Sequence, residues 1–293
     1  MRRFRQFASS AALVVVASVA LGGCTSHEPG VGDDSPSTAP PVSARAVLDW
    51  DTSTIHFPLD AYGMNDEEVG TVLAAQQILI ARCATGRDVV SEATLKAARE
   101  ALGFRSPTKW RYGFWNSSFI AAHGWVPQGN FPPLDGGLGN NSKLWSCANE
   151  DSVLAIDPVT PSMITSNLTT VVQLMAYAAE ANAKTVVDPR KVSLIDELNG
   201  CLTSQGYQIY TDGEIGGGVS FDDSWTSEQE LQAAVAEAQC NDELNLTQQV
   251  GDIEATYQQQ YIDAHQAELV AIRQIVDDRL SKARAILKEV GVL

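Results

Sequence analysis

From Leu244 to Val290 no proline interrupts the chain, and Ile262, Leu269, Val276, Ala283 and Val290 recur every seven residues, joined by Ile272, Leu280, Ile286 and Leu287. A seven-residue apolar repeat lays one helix along another, as in a bundle or a coiled coil. The pattern predicts a long C-terminal helix seated either on the rest of this chain or on a second copy. About 45 helical residues would reach ~65 Å, more than the domain beneath should span, so a break or an overhang is expected. The remaining elements have to be arranged around this rod.

Upstream, helical periods recur. Asn65 with Glu68 reads as a capping box, and Val69, Val72, Leu73, Gln76, Ile80 and Cys83 continue it as an amphipathic helix over about 65–84. Ser91 opens a second helix, with Leu95, Ala98 and Leu102 before a stop at Gly103. Ile164, Leu168, Val171, Val172, Met175 and Ala179 make an apolar stripe over 162–183. Asp188-Pro189 starts another helix, carrying Val192, Ile195, Leu198 and Leu202 to Gly206, and Ser227 with Glu230 caps one bearing Leu231, Ala234, Val235, Ala238 and Cys240. Buried strands do not alternate with these helices. The expected fold is all-α or mainly α, a helical bundle with a long C-terminal helix, and the pattern argues against a two-lobed solute-binding protein, which needs parallel strands in both lobes.

Between Phe104 and Trp145 the helical period lapses, except around Ser118 to His123. This irregular insert holds four of the six tryptophans and sets Arg105, Lys109, Arg111 and Lys143 against Asp135 alone. Its rings can form a small core of their own. Alternatively Trp115 or Trp125 is partly exposed beside Arg105 and Arg111 and meets a sugar or a protein, which makes these four residues the candidate binding set.

The N-terminus has a different character. Arg2, Arg3 and Arg5 precede an apolar run from Ala11 to Leu21, too short to span a bilayer and closed by small residues, as in a secretory leader. Leu21-Gly22-Gly23-Cys24 resembles the lipobox of bacterial membrane lipoproteins. The resemblance implies cleavage after residue 23, acylation of Cys24 and a protein moored by lipid to the outer face of the cell membrane. Residues 24–46, rich in Ser, Thr, Pro, Gly and Asp, are expected to be a disordered tether of roughly 25 Å reach, with the helical domain at 47–293. The leader carries three arginines and no acid, so the remaining 270 residues hold 17 basic against 36 acidic side chains, a net of −19. That charge repels polyanions, and no nucleic acid is expected as partner.

With Cys24 assigned to lipid, four cysteines remain, an even number suited to an oxidising compartment. Three connectivities are possible. Cys201 and Cys240 lie on two short helices separated by one loop that could run antiparallel, which favours Cys201 with Cys240 and leaves Cys83 with Cys147 to pin the insert to the first helix. Pro58-Leu59-Asp60-Ala61-Tyr62-Gly63 with Arg82-Cys83, Cys201-Leu202-Thr203-Ser204-Gln205-Gly206-Tyr207, and Ala233 to Cys240 are similar to a group of uncharacterised secreted lipoproteins of high-G+C Gram-positive bacteria. Ala84-Thr85-Gly86-Arg87 departs from that group's methionine and glycine-aromatic pair. The resemblance implies no activity.

Signatures of catalysis are weak. Gly-x-Ser-x-Gly does not occur; Ser106-Pro107-Thr108-Lys109 has a nucleophile-lysine spacing, but its companion Lys184-Thr185-Val186 lacks the required glycine. The histidines at 27, 56, 123 and 265 are scattered, the glycines of 213–218 have no Lys-Ser/Thr after them, and Asp135 to Asn141 lacks the order of a calcium loop. No metal or cofactor is expected. Asp222, Asp223 and Glu228 could supply paired carboxylates for a glycan hydrolase, though acids at a helix start more often stabilise its dipole. The reading that follows is a non-enzymatic lipoprotein binding or scaffolding an envelope protein or wall component. A wall hydrolase and a small-ligand carrier with a cavity between the helices are the alternatives.

Overall fold

The computed structural model describes residues 39–106, 110–126, 129–130, 143–156, 168–210, 217–222 and 224–293. The described chain is mainly helical. A hairpin of β1 (Val47–Asp49) and β2 (Thr54–His56) pairs Leu48 with Ile55 and precedes a 3-10 turn, Pro58–Tyr62. Helix α1 (Asp66–Thr85) begins as the sequence predicts: Asn65 Oδ1 accepts the Glu68 N–H and the Glu68 carboxylate accepts the Asn65 N–H. Ser91 caps α2 (Glu92–Leu102). Short helices α3 (Ser117–His123), α4 (Leu144–Ala148) and α5 (Asp151–Leu154) follow, then α6 (Leu168–Val186) and α7 (Pro189–Ser204), the last capped by Asp188. Helix α8 (Ser227–Leu244) is capped by Thr226 with Gln229, one residue before the predicted Ser227 and Glu230. The side chains decide this shift, since Thr226 and Gln229 form the reciprocal pair while the Ser227 backbone is already helical.

Helix α9 (Leu246–Glu289) is the predicted rod, and its break falls at His265, whose φ of −128° and ψ of 25° leave helical geometry. Four clusters line it in succession, one of them Ile253 and Tyr257 against Ala181 of α6. Leu246 and Val250 pack with Leu194, Leu198 and Leu202 of α7 and with Ala233 and Cys240 of α8. Leu269 and Ile272 meet Leu59 and Tyr177. Val276, Leu280, Ala283 and Leu287 then join Val72, Ala75 and Ile78 of α1 and Ala98 and Ala101 of α2. The heptad seam is therefore filled by this chain's own helices. Gly70 allows the close crossing of α1 and α2: a Cβ there would stand 2.9 Å from the Ala101 carbonyl oxygen.

Both disulfides pair as the helices suggested. Cys83–Cys147 joins α1 to α4, and Cys201–Cys240 joins α7 to α8. Closing loops of 64 and 39 residues removes unfolded-state freedom, worth about 2–4 kcal/mol each.

The folded unit starts earlier than composition indicated. It begins at Ala39, and residues 39–46 lie along α9 where a tether was expected. Thr256 Oγ1 accepts the Ser43 N–H at 3.0 Å, Asp252 Oδ1 accepts the Ala46 N–H at 3.0 Å, and the Pro40 carbonyl accepts from Arg190 at 2.8 Å. Ala46 is buried over Gly251, where a Cβ would stand 2.9 Å away. Backbone groups, which carry no compositional signal, hold this strap.

Candidate functional site

Carboxylates inside the helical body organise the insert. Glu254 of α9 is fully buried, receives Arg111 at 2.7 Å and Gln258 at 3.1 Å, and accepts the Tyr112 hydroxyl. Burial raises its pKa against the pull of Arg111 and the other donors, and burial also lifts the Tyr112 phenol well above its ordinary value. The Arg111 guanidinium lies over the Phe57 ring, 5.3 Å from its centroid. A second carboxylate, Glu237 of α8, accepts the Phe114 N–H at 2.8 Å and the Val219 N–H at 2.7 Å. Burial pushes it up to about 7, although both amides favour the charged form. Gly113 (φ +84°) and Gly218 (φ +113°) let these two strands of loop close on it, and a Cβ on Gly113 would stand 2.5 Å from Glu237 Oε1. A third, Asp188, is held by Arg190 at 2.6 Å and Tyr257 at 2.9 Å, which keep its pKa low. These are structural ties between elements.

The aromatic insert packs on α8. Phe114 and Ile120 sit against Ala234 and Ala238, with Trp110, Trp125, Phe221, Leu231 and Val235 packed against them. Trp125 stacks on Phe221 with centroids 4.9 Å apart, and its carbonyl accepts the Trp110 indole N–H at 2.7 Å.

The four candidate binding residues do not share one surface. Trp115 is fully buried, contrary to the expectation of partial exposure, because its ring packs edge-on to Trp50 at 5.0 Å. Arg111 is committed to Glu254. Arg105 is exposed at the end of α2, where its guanidinium donates to the Phe104 carbonyl at 2.7 Å and its backbone pairs with Asn130. Trp125 is half-buried at the edge of the α8 cluster.

Other candidates resolve individually. Asp222 is exposed and accepts the Ser224 N–H at 2.8 Å, which lowers its pKa, and Glu228 accepts from Gln232 at 3.2 Å, so both serve the start of α8. Ser106 donates to Asp66 at 2.6 Å. His265 stacks on Tyr177 at 4.5 Å with Nδ1 3.5 Å from Glu268. Cys24, Asp223, Lys109, the glycines at 213 and 216 and the Asp135 to Asn141 stretch lie outside the described residues. Among the described residues no group of His, Cys, Asp and Glu could hold a metal ion, and no helix is long and apolar enough to cross a membrane.

Sequence reasoning missed one concave feature. An open trough of about 400 Å³ runs beside α8 between the end of α7 and α3. Leu231, Val235 and Tyr207 give it an apolar floor, and Gln205, Gln232 and Gln239 rim it. Gln205 is held there by the Cys201–Cys240 sulfurs, at 3.6 and 3.2 Å. The i, i+4 and i, i+7 spacing of Leu231, Val235, Gln232 and Gln239 was legible, but it read as an ordinary helix face until α3 and the Tyr207 turn walled it. A smaller depression of about 280 Å³, lined by Ala81, Thr85, Arg87, Val89, Ser91 and Thr94, lies between the end of α1 and the start of α2. No family model, curated protein or solved structure matches the chain.

Proposed function

We propose that this protein is a non-enzymatic lipoprotein, moored through acylated Cys24 to the extracytoplasmic face of the cell membrane, that binds or scaffolds a partner in the envelope. The observation that carries this reading is the leader with its Leu21-Gly22-Gly23-Cys24 ending. The two disulfides support it, because such bonds persist where the surroundings are oxidising. The functional surface is the α3 and α8 face, where the half-buried Trp125 borders the α8 cluster and the trough opens beside it. Detergent phase partition and intact-mass measurement of the protein from membranes check the mooring. A diacylglycerol-modified N-terminal cysteine, lost in Cys24→Ala, is the expected result, and an unmodified thiol on a protein recovered from the aqueous phase overturns it. Crosslinking on intact cells, followed by pull-down, identifies the partner.

A further inference from the structure

The geometry points to the trough beside α8 as a binding site for a neutral oligosaccharide, which deepens the envelope reading above and rests on it for the source of the sugar. The lining is the first ground. In a chain of net charge −16, the described residues that line the trough are all uncharged. Its polar groups are the Tyr207 hydroxyl and three primary carboxamides, of which Gln232 already donates through Nε2 to Glu228 at 3.2 Å, and together they offer the mixed donors and acceptors that sugar hydroxyls pair with. Gln205 is fixed by the disulfide sulfurs through its Nε2, which leaves its Oε1 to accept.

The floor is the second ground. Leu231, Val235 and the half-buried Tyr207 ring offer the apolar surface that the C–H face of a pyranose covers. The volume of about 400 Å³ is within the range of small-molecule sites. An extended peptide takes much of its affinity from a sheet edge, and helices α3 and α8 wall this trough, so a saccharide fits its chemistry better.

Titrating the full-length protein with maltotriose, chitotriose, trialanine and trigalacturonate, while following the glutamine side-chain amides by NMR, tests the assignment. Saturable shifts of the Gln205, Gln232 and Gln239 carboxamides with at least one neutral trisaccharide are expected. Gln232→Ala with Gln239→Ala, both exposed positions, should weaken that binding about tenfold while circular dichroism stays unchanged. The proposal falls if neither neutral trisaccharide shifts these amides at about 10 mM, if trialanine or trigalacturonate binds as well, or if the double variant binds unchanged. Sugar binding by a protein whose Cys24 is unmodified would overturn the mooring and leave the site standing. A lipidated protein indifferent to every sugar would do the reverse.

Discussion

The two halves of α9 bury themselves in opposite ways. Before the His265 kink, Ile253, Glu254, Ala255, Thr256, Tyr257 and Gln258 are six consecutive buried residues, three of them polar and uncharged and one a carboxylate. After it, only Leu269, Ile272, Val276, Leu280, Ala283 and Leu287 are buried, one stripe at three- and four-residue spacing. The stretch 253–258 is enclosed on all sides and its polar groups are satisfied by the insert, the strap, the 3-10 turn and the start of α7. The second half rests on its neighbours by a seam. A helix that packs on one side needs only a periodic apolar stripe, whereas one that is surrounded must find a partner for every polar side chain it carries.

Substitutions separate the two modes. The largest loss is expected for Glu254→Ala, which leaves Arg111, Tyr112 and Gln258 facing an empty site and should cost about 3–5 kcal/mol. Chemical denaturation of the two proteins checks it, and a cost below that of an average core truncation would dissolve the contrast. Leu280→Ala in the seam should cost about 3 kcal/mol through lost burial and a cavity, with no pH dependence of its own.

Acid titration reads the polar side independently. Glu237 has its folded pKa raised from 4.5 to about 7, so the folded state binds the proton first. Its contribution is fully present below pH 4.5 and is lost as pH rises through 7, which amounts to at most about 3 kcal/mol of stability gained on acidifying across that window. Glu237→Gln should flatten the dependence between pH 5 and 8 in urea melts. Asp188 and Glu68, both lowered by their arginine partners, act in the opposite sense: their stabilisation is present above the ordinary carboxylate range and disappears as pH falls below it. The smallest effect belongs to the open side of the seam half. Val270→Lys, at a residue 55% exposed, should stay within about 0.5 kcal/mol in the same assay.

Much of the fold was legible for physical reasons that act locally. Asn65 with Glu68, Ser91 and Asp188-Pro189 announce helix starts because a cap needs only residues within one turn. The disulfide pairs followed from which helices are chain neighbours. The candidate site was much less legible. Trp115 and Arg111 look like a recognition pair in the sequence, and the structure buries one and commits the other to Glu254. Glu237 stands alone among Ala233, Ala234, Ala236 and Ala238, a pattern that could have marked it as an interior carboxylate. Its two amide donors come from residues more than a hundred positions upstream and eighteen upstream, beyond any local pattern.

What the sequence determined by itself is the helical class, the rod and its seam, since periodicity and capping are properties of near neighbours along the chain. Which polar side chains go inside, where the folded body begins and which helix face becomes a trough were decided only by the tertiary structure. Each of those depends on long-range hydrogen bonds and on walls supplied by elements distant in the chain, and neither leaves a periodic mark.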